Sequence, residues 1–279
     1  MSIILLTALV AFVLAFILGA ALGFFKQIFA VPEDPVVTRI SKILPGVNCG
    51  VCGFPGCENF ASAIVSGAAK ANACTVGGSA LAEYISNIIG VESDKVIETV
   101  VVLACQGSSK HAPKKGNYTG LENCRGAVLS GGINLCSWSC QGFGDCLNVC
   151  KFGALKMGKH GLPLVNYEKC TGCNLCMAEC PQKLFRSVPR EQKGAMVLCA
   201  NKNPVKQMIL KTCKRACIKC GLCVKTCPEQ CITLRKHLPE IDLSKCTACG
   251  ICAVKCPTKV YKIIMRNEEY FITFRPPQY

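Results

Sequence analysis

The chain has 279 residues, 32 Lys and Arg against 17 Asp and Glu, and 25 cysteines. That cysteine density leaves two classes, a disulfide scaffold in an oxidising compartment or metal held by thiolates in a reducing one. The formal charge of +15 invites nucleic-acid binding, but aromatics are only 7% and form no stacking repeat of the kind single strands need.

Residues Ile3 to Phe25 carry no charged side chain. As a helix they reach about 34 Å, enough for a hydrocarbon core of about 30 Å. A cleaved signal peptide is the competing reading. The stretch lacks a basic leading region and a small-x-small site, and its apolar run is too long. The expectation is a single-pass transmembrane anchor over 1–27, with Gly19 and Gly23 spaced to let a neighbouring helix approach. Lys26, Arg39 and Lys42 follow the span. By the positive-inside bias everything beyond it lies on the cytoplasmic side of a cell (inner) membrane. Residues 28–44 read as a linker, because Pro32 and Pro35 discourage a continuous helix.

A first cysteine module spans 45–104, with the spacing Cys49-x2-Cys52-x4-Cys57-x16-Cys74. Glycines at 46, 50, 53 and 56 let backbone N–H groups approach a cluster sulfur. Zinc would also take four thiolates, but the Gly-rich loop favours a [4Fe–4S] cluster. Glu58 to Ala71 reads as a helix that returns the chain to Cys74. Ser79 to Ala104 reads as two short core helices, with apolar faces Leu81, Ile85, Ile88 and Val96, Val100, Leu103. Residues 105–135 are a connector in which Cys105 and Cys124 flank a basic, solvated turn, Lys110 to Asn117.

Two longer units follow, 136–198 and 199–279. The second is regular: Cys217/Cys220/Cys223/Cys227-Pro228 and Cys246/Cys249/Cys252/Cys256-Pro257 both read Cys-x2-Cys-x2-Cys-x3-Cys-Pro, the signature of two cubane clusters. Three closely spaced thiolates hold three irons, and the last Cys of the other run holds the fourth. Cys217, Cys220 and Cys223 therefore take Cys256, and Cys246, Cys249 and Cys252 take Cys227. In the first unit, Cys170, Cys173 and Cys176 of the regular run ending Cys180-Pro181 take Cys150. The other run is irregular. Five residues separate Cys140 from Cys146, Phe143 stands where the middle ligand belongs, and Lys151 replaces the proline. Cys136, just upstream, is the expected replacement, giving Cys136, Cys140, Cys146 and Cys180; a three-iron cluster is the alternative.

The units form an internal repeat. Gly161 to Cys170 matches His237 to Cys246, each after a β-rich piece (Ala154–Met157, Ile232–Arg235), which predicts a hairpin joining the two halves. The alignment sets Cys136 opposite Cys213 and Cys124 near Cys199. The tail from Val260 to Phe274 is strand-like and is expected to cover the second unit.

About five [4Fe–4S] clusters use the cysteines of these runs and leave Cys105, Cys124, Cys199, Cys213 and Cys231. A sixth metal site from Cys105, Cys124, Cys199 and Cys213 is the alternative to the plainer reading of small core residues. Cys231 is expected to pack against a cluster. His111, His160 and His237 stand apart, against Rieske-type ligation, and Trp138 reads as packing. Zinc modules use paired Cys-x2-Cys rather than triplets, so a zinc-binding interaction module is the weaker alternative. Each oxidised cubane with four thiolates carries roughly −2, so the clusters remove about ten charges. Lys214, Arg215, Lys219, Lys225 and Lys255, set among the ligands, read as counter-charge, and the basic surface as a docking face for an acidic partner. No G-x-G-x-x-G follows a strand and no Walker loop is present, so a nicotinamide or flavin site belongs on another polypeptide.

An apolar N-terminal helix, the Cys49-to-Cys74 module, Cys105-Gln-Gly and Cys136-x3-Cys140-x5-Cys146-x3-Cys150, in this order, resemble the iron–sulfur B subunit of the Rnf complex over essentially the whole chain. The resemblance implies a membrane-bound, ion-translocating ferredoxin:NAD+ oxidoreductase, with this subunit taking electrons from ferredoxin toward membrane and nicotinamide-reducing subunits. Shorter members of the family carry one ferredoxin-like unit; this chain has two. The expected fold is α+β, with one transmembrane helix, a small helical cluster module and two tandem ferredoxin-like units. A polyferredoxin carrier of another membrane complex, such as a hydrogenase, is the rival, and the Cys49-to-Cys74 module argues against it. No residue is expected to act as a proton or hydride catalyst.

Overall fold

The computed structural model describes residues 2–28, 34–91, 96–235, 237–266 and 272–275. Its first element, α1 (Ser2–Ile28), contains Ile4–Phe25, the one stretch among the described residues long and apolar enough to cross a membrane. Leu5, Phe12, Phe16 and Leu22 all stand exposed on it. A helix apolar on every side has no single core-facing stripe, so lipid or a neighbouring membrane helix suits it.

The segment expected to be a linker contains a helix, α2 (Pro35–Ile43). Pro35 sits in its first turn, where a missing N–H costs nothing, and Asp34 Oδ1 accepts the Val36 N–H at 2.8 Å as the cap. One of the two prolines that argued against a helix therefore starts one; Pro32 lies outside the described residues. α3 (Cys57–Val65) and α4 (Gly78–Ile89) pack with α2 around Ile40, Phe60, Ile64 and Ile85. α3 stops before the expected Ala71 because Gly67 turns left-handed and the Ala68 N–H closes on Ala63 O at 2.8 Å. One 3-10 turn, Ala71–Ala73, then delivers Cys74.

The second helix expected before Ala104 is instead a strand. β1 (Thr99–Leu103) is a β-branched run, stiff at χ1 and suited to a pleated surface. Val100, Val101 and Val102 are all buried, each worth about 1.5–3 kcal/mol relative to exposure. Continuous burial leaves neither a helical nor an alternating period, so the apparent helical spacing misled.

From β1 the chain runs through α5 (Cys124–Leu129), α6 (Asp145–Asn148), the hairpin β2 (Leu155–Met157) and β3 (Pro163–Val165), and α7 (Leu175–Glu179). It closes with β4 (Phe185–Pro189), antiparallel to β1 with Val101 opposite Ser187. The same path is then repeated: β5 (Gly194–Val197), α8 (Lys206–Thr212), α9 (Leu222–Thr226), the hairpin β6 (Ile232–Arg235) and β7 (Leu238–Ile241), α10 (Ile251–Lys255) and β8 (Tyr261–Arg266). β8 pairs with β5, and β9 (Ile272–Arg275) adds to its other edge. Each repeat is thus a hairpin plus a pairing of its own first and last strands. The pairing places 99–103 with the first repeat and 194–197 with the second, across the boundaries drawn at 104/105 and 198/199.

Cysteine takes the place of ordinary core residues. The buried cluster of the second repeat joins Cys217, Cys223, Cys231 and Cys252 to Ala195, Ile232, Ala253, Val260, Tyr261 and Ile263. So small an apolar set cannot hold a repeat of this size unaided.

Candidate metal centres

In the N-terminal module Cys49, Cys52, Cys57 and Cys74 line one partly open cavity beside Leu44 and Phe60. Asn48 Oδ1 accepts the Cys57 N–H at 2.7 Å and fixes the loop against the start of α3. Burial raises the Cys74 pKa, while the N–H groups of Gly77 and Val76 point at its sulfur and oppose that rise.

Four loops in the repeats share one backbone shape. Gly172 and Asn174 flank Cys173, Lys219 and Gly221 flank Cys220, Ala248 and Gly250 flank Cys249, and Gly142 and Gly144 flank Phe143; all eight flanking residues are left-handed. Left-handed residues in such a loop turn N–H groups toward a common centre, which suits a bound anion. Gly142 N–H accordingly meets Cys140 Sγ, Leu175 N–H meets Cys173 Sγ and Lys219 N–H meets Cys217 Sγ. At Gly172 a Cβ would collide with Thr99 O, which ties that loop to β1.

The thiols gather by these loops. Cys217, Cys220, Cys223 and Cys256 line one cavity under Tyr261. Cys227, Cys246, Cys249 and Cys252 line another, where Cys231 is a fifth thiol, its sulfur 3.5 Å from Cys227 Sγ. Cys150, Cys170, Cys173 and Cys176 are mutual neighbours. Arg190 braces that loop, donating to Tyr167 O at 2.9 Å and to Cys170 O at 2.5 Å.

The irregular loop is completed differently from the expectation. Cys140, Cys146 and Cys180 share their cavity with Cys124, not with Cys136. Asn123 caps α5 by accepting the Gly126 N–H at 2.6 Å, and the Cys124 N–H donates to Asp145 Oδ2 at 2.9 Å. The N–H groups of Asp145, Phe143 and Gly144 point back at Cys124 Sγ. Its sulfur therefore enters beside Phe143, where the middle ligand is missing. Cys136 lies instead with Cys213 and Cys199, and Cys105 neighbours Cys136 and Cys199. A sequence signal existed: Cys105 to Cys136 is longer than the equivalent Cys199 to Cys213, and the extra length carries Cys124.

Burial raises the thiol pKa to about 12 at Cys146, Cys176 and Cys252, with neighbouring thiols adding to it. Thiolates crowded in this way need a cationic core to stay ionised. Zinc and a cluster are told apart here by donor spacing: each regular set takes three thiols from one short loop and a fourth from another. Zinc modules use paired Cys-x2-Cys instead, so thiol triplets gathered round a cavity suit a multi-atom cluster. Each regular set fits a [4Fe–4S] cube in donor chemistry, number and N–H supply.

Tyr261 is buried with its hydroxyl beside Cys223. The hydroxyl has no other partner among the described residues, and if it donates to a bound thiolate, Tyr261→Phe should lower the potential of the centre at Cys217, Cys220, Cys223 and Cys256 by about 40 mV, the equivalent of one hydrogen bond of about 1 kcal/mol. A redox titration followed by EPR would show it, and an unchanged potential would remove the hydroxyl from the account.

A family model for an Fe-S cluster matches residues 44–76, one for a 4Fe-4S binding domain matches 163–184, and one for a 4Fe-4S dicluster domain matches 216–260. The chain is 40% identical over 235 residues to the B subunit of the Na(+)-translocating ferredoxin:NAD(+) oxidoreductase complex of Acetobacterium woodii, covering 84% of this chain and 70% of the relative. It is 36% identical over 234 residues to the B subunit of the ion-translocating oxidoreductase complex of Methanosarcina acetivorans, covering 84% and 88%. With the B subunit of the proton-translocating ferredoxin:NAD(+) oxidoreductase complex of Clostridium ljungdahlii it shares 34% over 248 residues, covering 88% and 87%.

Proposed function

The chain belongs to the B-subunit family of the Rnf complexes, the ion-translocating ferredoxin:NAD+ oxidoreductases, and from that premise we propose that it carries electrons along a row of [4Fe–4S] clusters between a docked ferredoxin and the membrane subunits. It is an iron–sulfur electron-transfer subunit of such a complex. Each bound cube exchanges one electron with its surroundings. The ligand sets we assign are Cys49, Cys52, Cys57, Cys74; Cys150, Cys170, Cys173, Cys176; Cys124, Cys140, Cys146, Cys180; Cys217, Cys220, Cys223, Cys256; and Cys227, Cys246, Cys249, Cys252. Their sulfurs fix the irons, and the N–H groups aimed at them favour the more negative, reduced state.

The observation that carries this reading is that the sets adjoin one another. Lys151, which replaces the expected proline, reaches Asn48 O at 3.4 Å and ties the N-terminal module to the Cys150 loop. Cys176 neighbours Cys146, and Cys252 neighbours Cys223, each pair linking two sets within one repeat. At the far end Cys220 and Cys249 are exposed, with Lys214, Lys225, Lys245 and Lys255 exposed near them in sequence. That basic face suits an acidic donor such as ferredoxin. The N-terminal module, next in the chain to α1, is the side from which electrons leave for the membrane. We assign 1–27 to a single-pass anchor and the cluster-bearing remainder to the cytoplasmic face.

The test is anaerobic expression of the full chain and of a form lacking residues 1–28. The full chain should sediment brown with membranes and show cubane EPR signals when mixed with reduced two-cluster ferredoxin. The truncated form should move to the soluble fraction with its iron intact. A colourless chain, or a full-length chain that stays soluble without membranes, would refute the reading.

A further inference from the structure

Four cysteines outside these five sets come together, one pair from each repeat. Cys105 follows β1 and Cys199 follows β5, while Cys136 and Cys213 precede Cys140 and Cys217 at the same spacing. Each pair is the repeat-equivalent of the other. Cys105 neighbours Cys136 and Cys199, and Cys136 neighbours Cys213 and Cys199. Cys136 and Cys213 are buried in one apolar cluster with Ala112, Ile209 and Ala216, against which Cys199 and Trp138 pack.

Their sulfurs are hydrogen-bonded as ligand sulfurs are. Gly107 N–H donates to Cys105 Sγ at 3.3 Å and Asn201 N–H to Cys199 Sγ at 3.5 Å. Trp138 N–H points at Cys136 Sγ and Arg215 N–H at Cys213 Sγ. Every donor lies at the position that Gly142, Leu175 and Lys219 occupy relative to Cys140, Cys173 and Cys217. Asn201, itself only 2% exposed, also aims its side-chain amide at Cys136 Sγ across the repeat boundary, at 3.7 Å. Cys231 differs, its sulfur facing the thiols of Cys227 and Cys246.

We propose that Cys105, Cys136, Cys199 and Cys213 hold a sixth iron–sulfur cluster, shared by the two repeats and joining their clusters into one conductor. Cys217 N–H donates to Cys199 Sγ at 3.3 Å, and Cys140 N–H points at Cys105 Sγ. Cys140 and Cys217 are themselves ligand positions of the centres on either side, so on both flanks the amide of a neighbouring ligand touches a sulfur of the bridging set. Lys219, whose ammonium lies beside Cys217 and Cys199, offsets charge at that junction. Passage through the bridge oxidises one cluster and reduces the next by a single electron, with no bond or proton changing place. The inference rests on the iron–sulfur reading of the chain and extends it to residues outside all three matched family stretches.

The test counts iron, sulfide and zinc in the full chain purified without air, with native mass spectrometry for the number of clusters. Six cubes at four irons each give about 24 iron per chain, and Cys199→Ala and Cys213→Ala should each lose about four of them with one paramagnetic centre. About 20 iron in the unaltered chain, with or without one zinc, overturns the bridging cluster while leaving the five-cluster wire standing. A chain without iron overturns both. Should the variants fail to fold, the count on the unaltered chain still decides.

Discussion

Cys124→Ala should remove about four irons, one whole cluster, from the chain purified without air, and adding Phe143→Cys should restore them. The first half follows from the cavity that Cys124 shares with Cys140, Cys146 and Cys180. Without the fourth thiolate one iron has no protein ligand, and the cube is expected not to assemble in this hollow. The second half follows from the loop. Gly142 and Gly144 hold residue 143 in the backbone frame that Lys219 and Gly221 give Cys220. A cysteine at 143 would recreate the regular run, with Tyr118, now packed on the Phe143 ring at 5.7 Å, giving way. Cys136→Ala should leave this particular cluster's spectrum in place. If Cys136→Ala removes it and Cys124→Ala does not, the ligand assignment is reversed.

Stripping iron and sulfide from the intact chain should unfold both repeats, a far larger effect than any single apolar core substitution. In the first repeat Cys146, Cys170 and Cys176 belong to the same buried cluster as Val100, Leu155, Leu184 and Phe185. In the second, cysteines stand beside two alanines and a few larger residues. Without a cube each hollow becomes a cavity ringed by thiols, and the helices α6, α7, α9 and α10, each only four or five residues long, have no independent stability. A small domain is stable by only about 5–15 kcal/mol, and metal ligation alone can supply that much. Far-UV circular dichroism and limited proteolysis of the chelated chain should report loss of structure across 99–266. Native protection in the iron-free chain would mean that the apolar core suffices.

Which thiols gather was legible wherever they are close in sequence. The runs ending at Cys180, Cys227 and Cys256 carry their own geometry, because a cube needs three thiolates on one short loop. The hairpins at β2–β3 and β6–β7 followed from the β-rich pieces between the runs. Cys124 was not legible, since it reaches its loop from a separate helix and its place depends on Asn123, Asp145 and the N–H groups around Phe143. The strand at 99–103 was misread because its partner, 185–189, lies far along the chain and buries the valines without a period. Pro35 misled for a local reason, being as apt to open a helix as to block one.

By itself, then, the amino-acid order determined that this is a thiolate-rich, two-repeat iron–sulfur chain behind an apolar N-terminal helix, because triplet spacing and unbroken apolarity are properties of short stretches. Only the tertiary structure decided which distant thiols share a hollow, exchanging Cys124 and Cys136 between sets and bringing Cys105 and Cys199 together. Strand pairing sets those partnerships: β1 with β4 and β5 with β8 position the cysteines that follow each first strand, and no spacing along the chain records where two repeats meet.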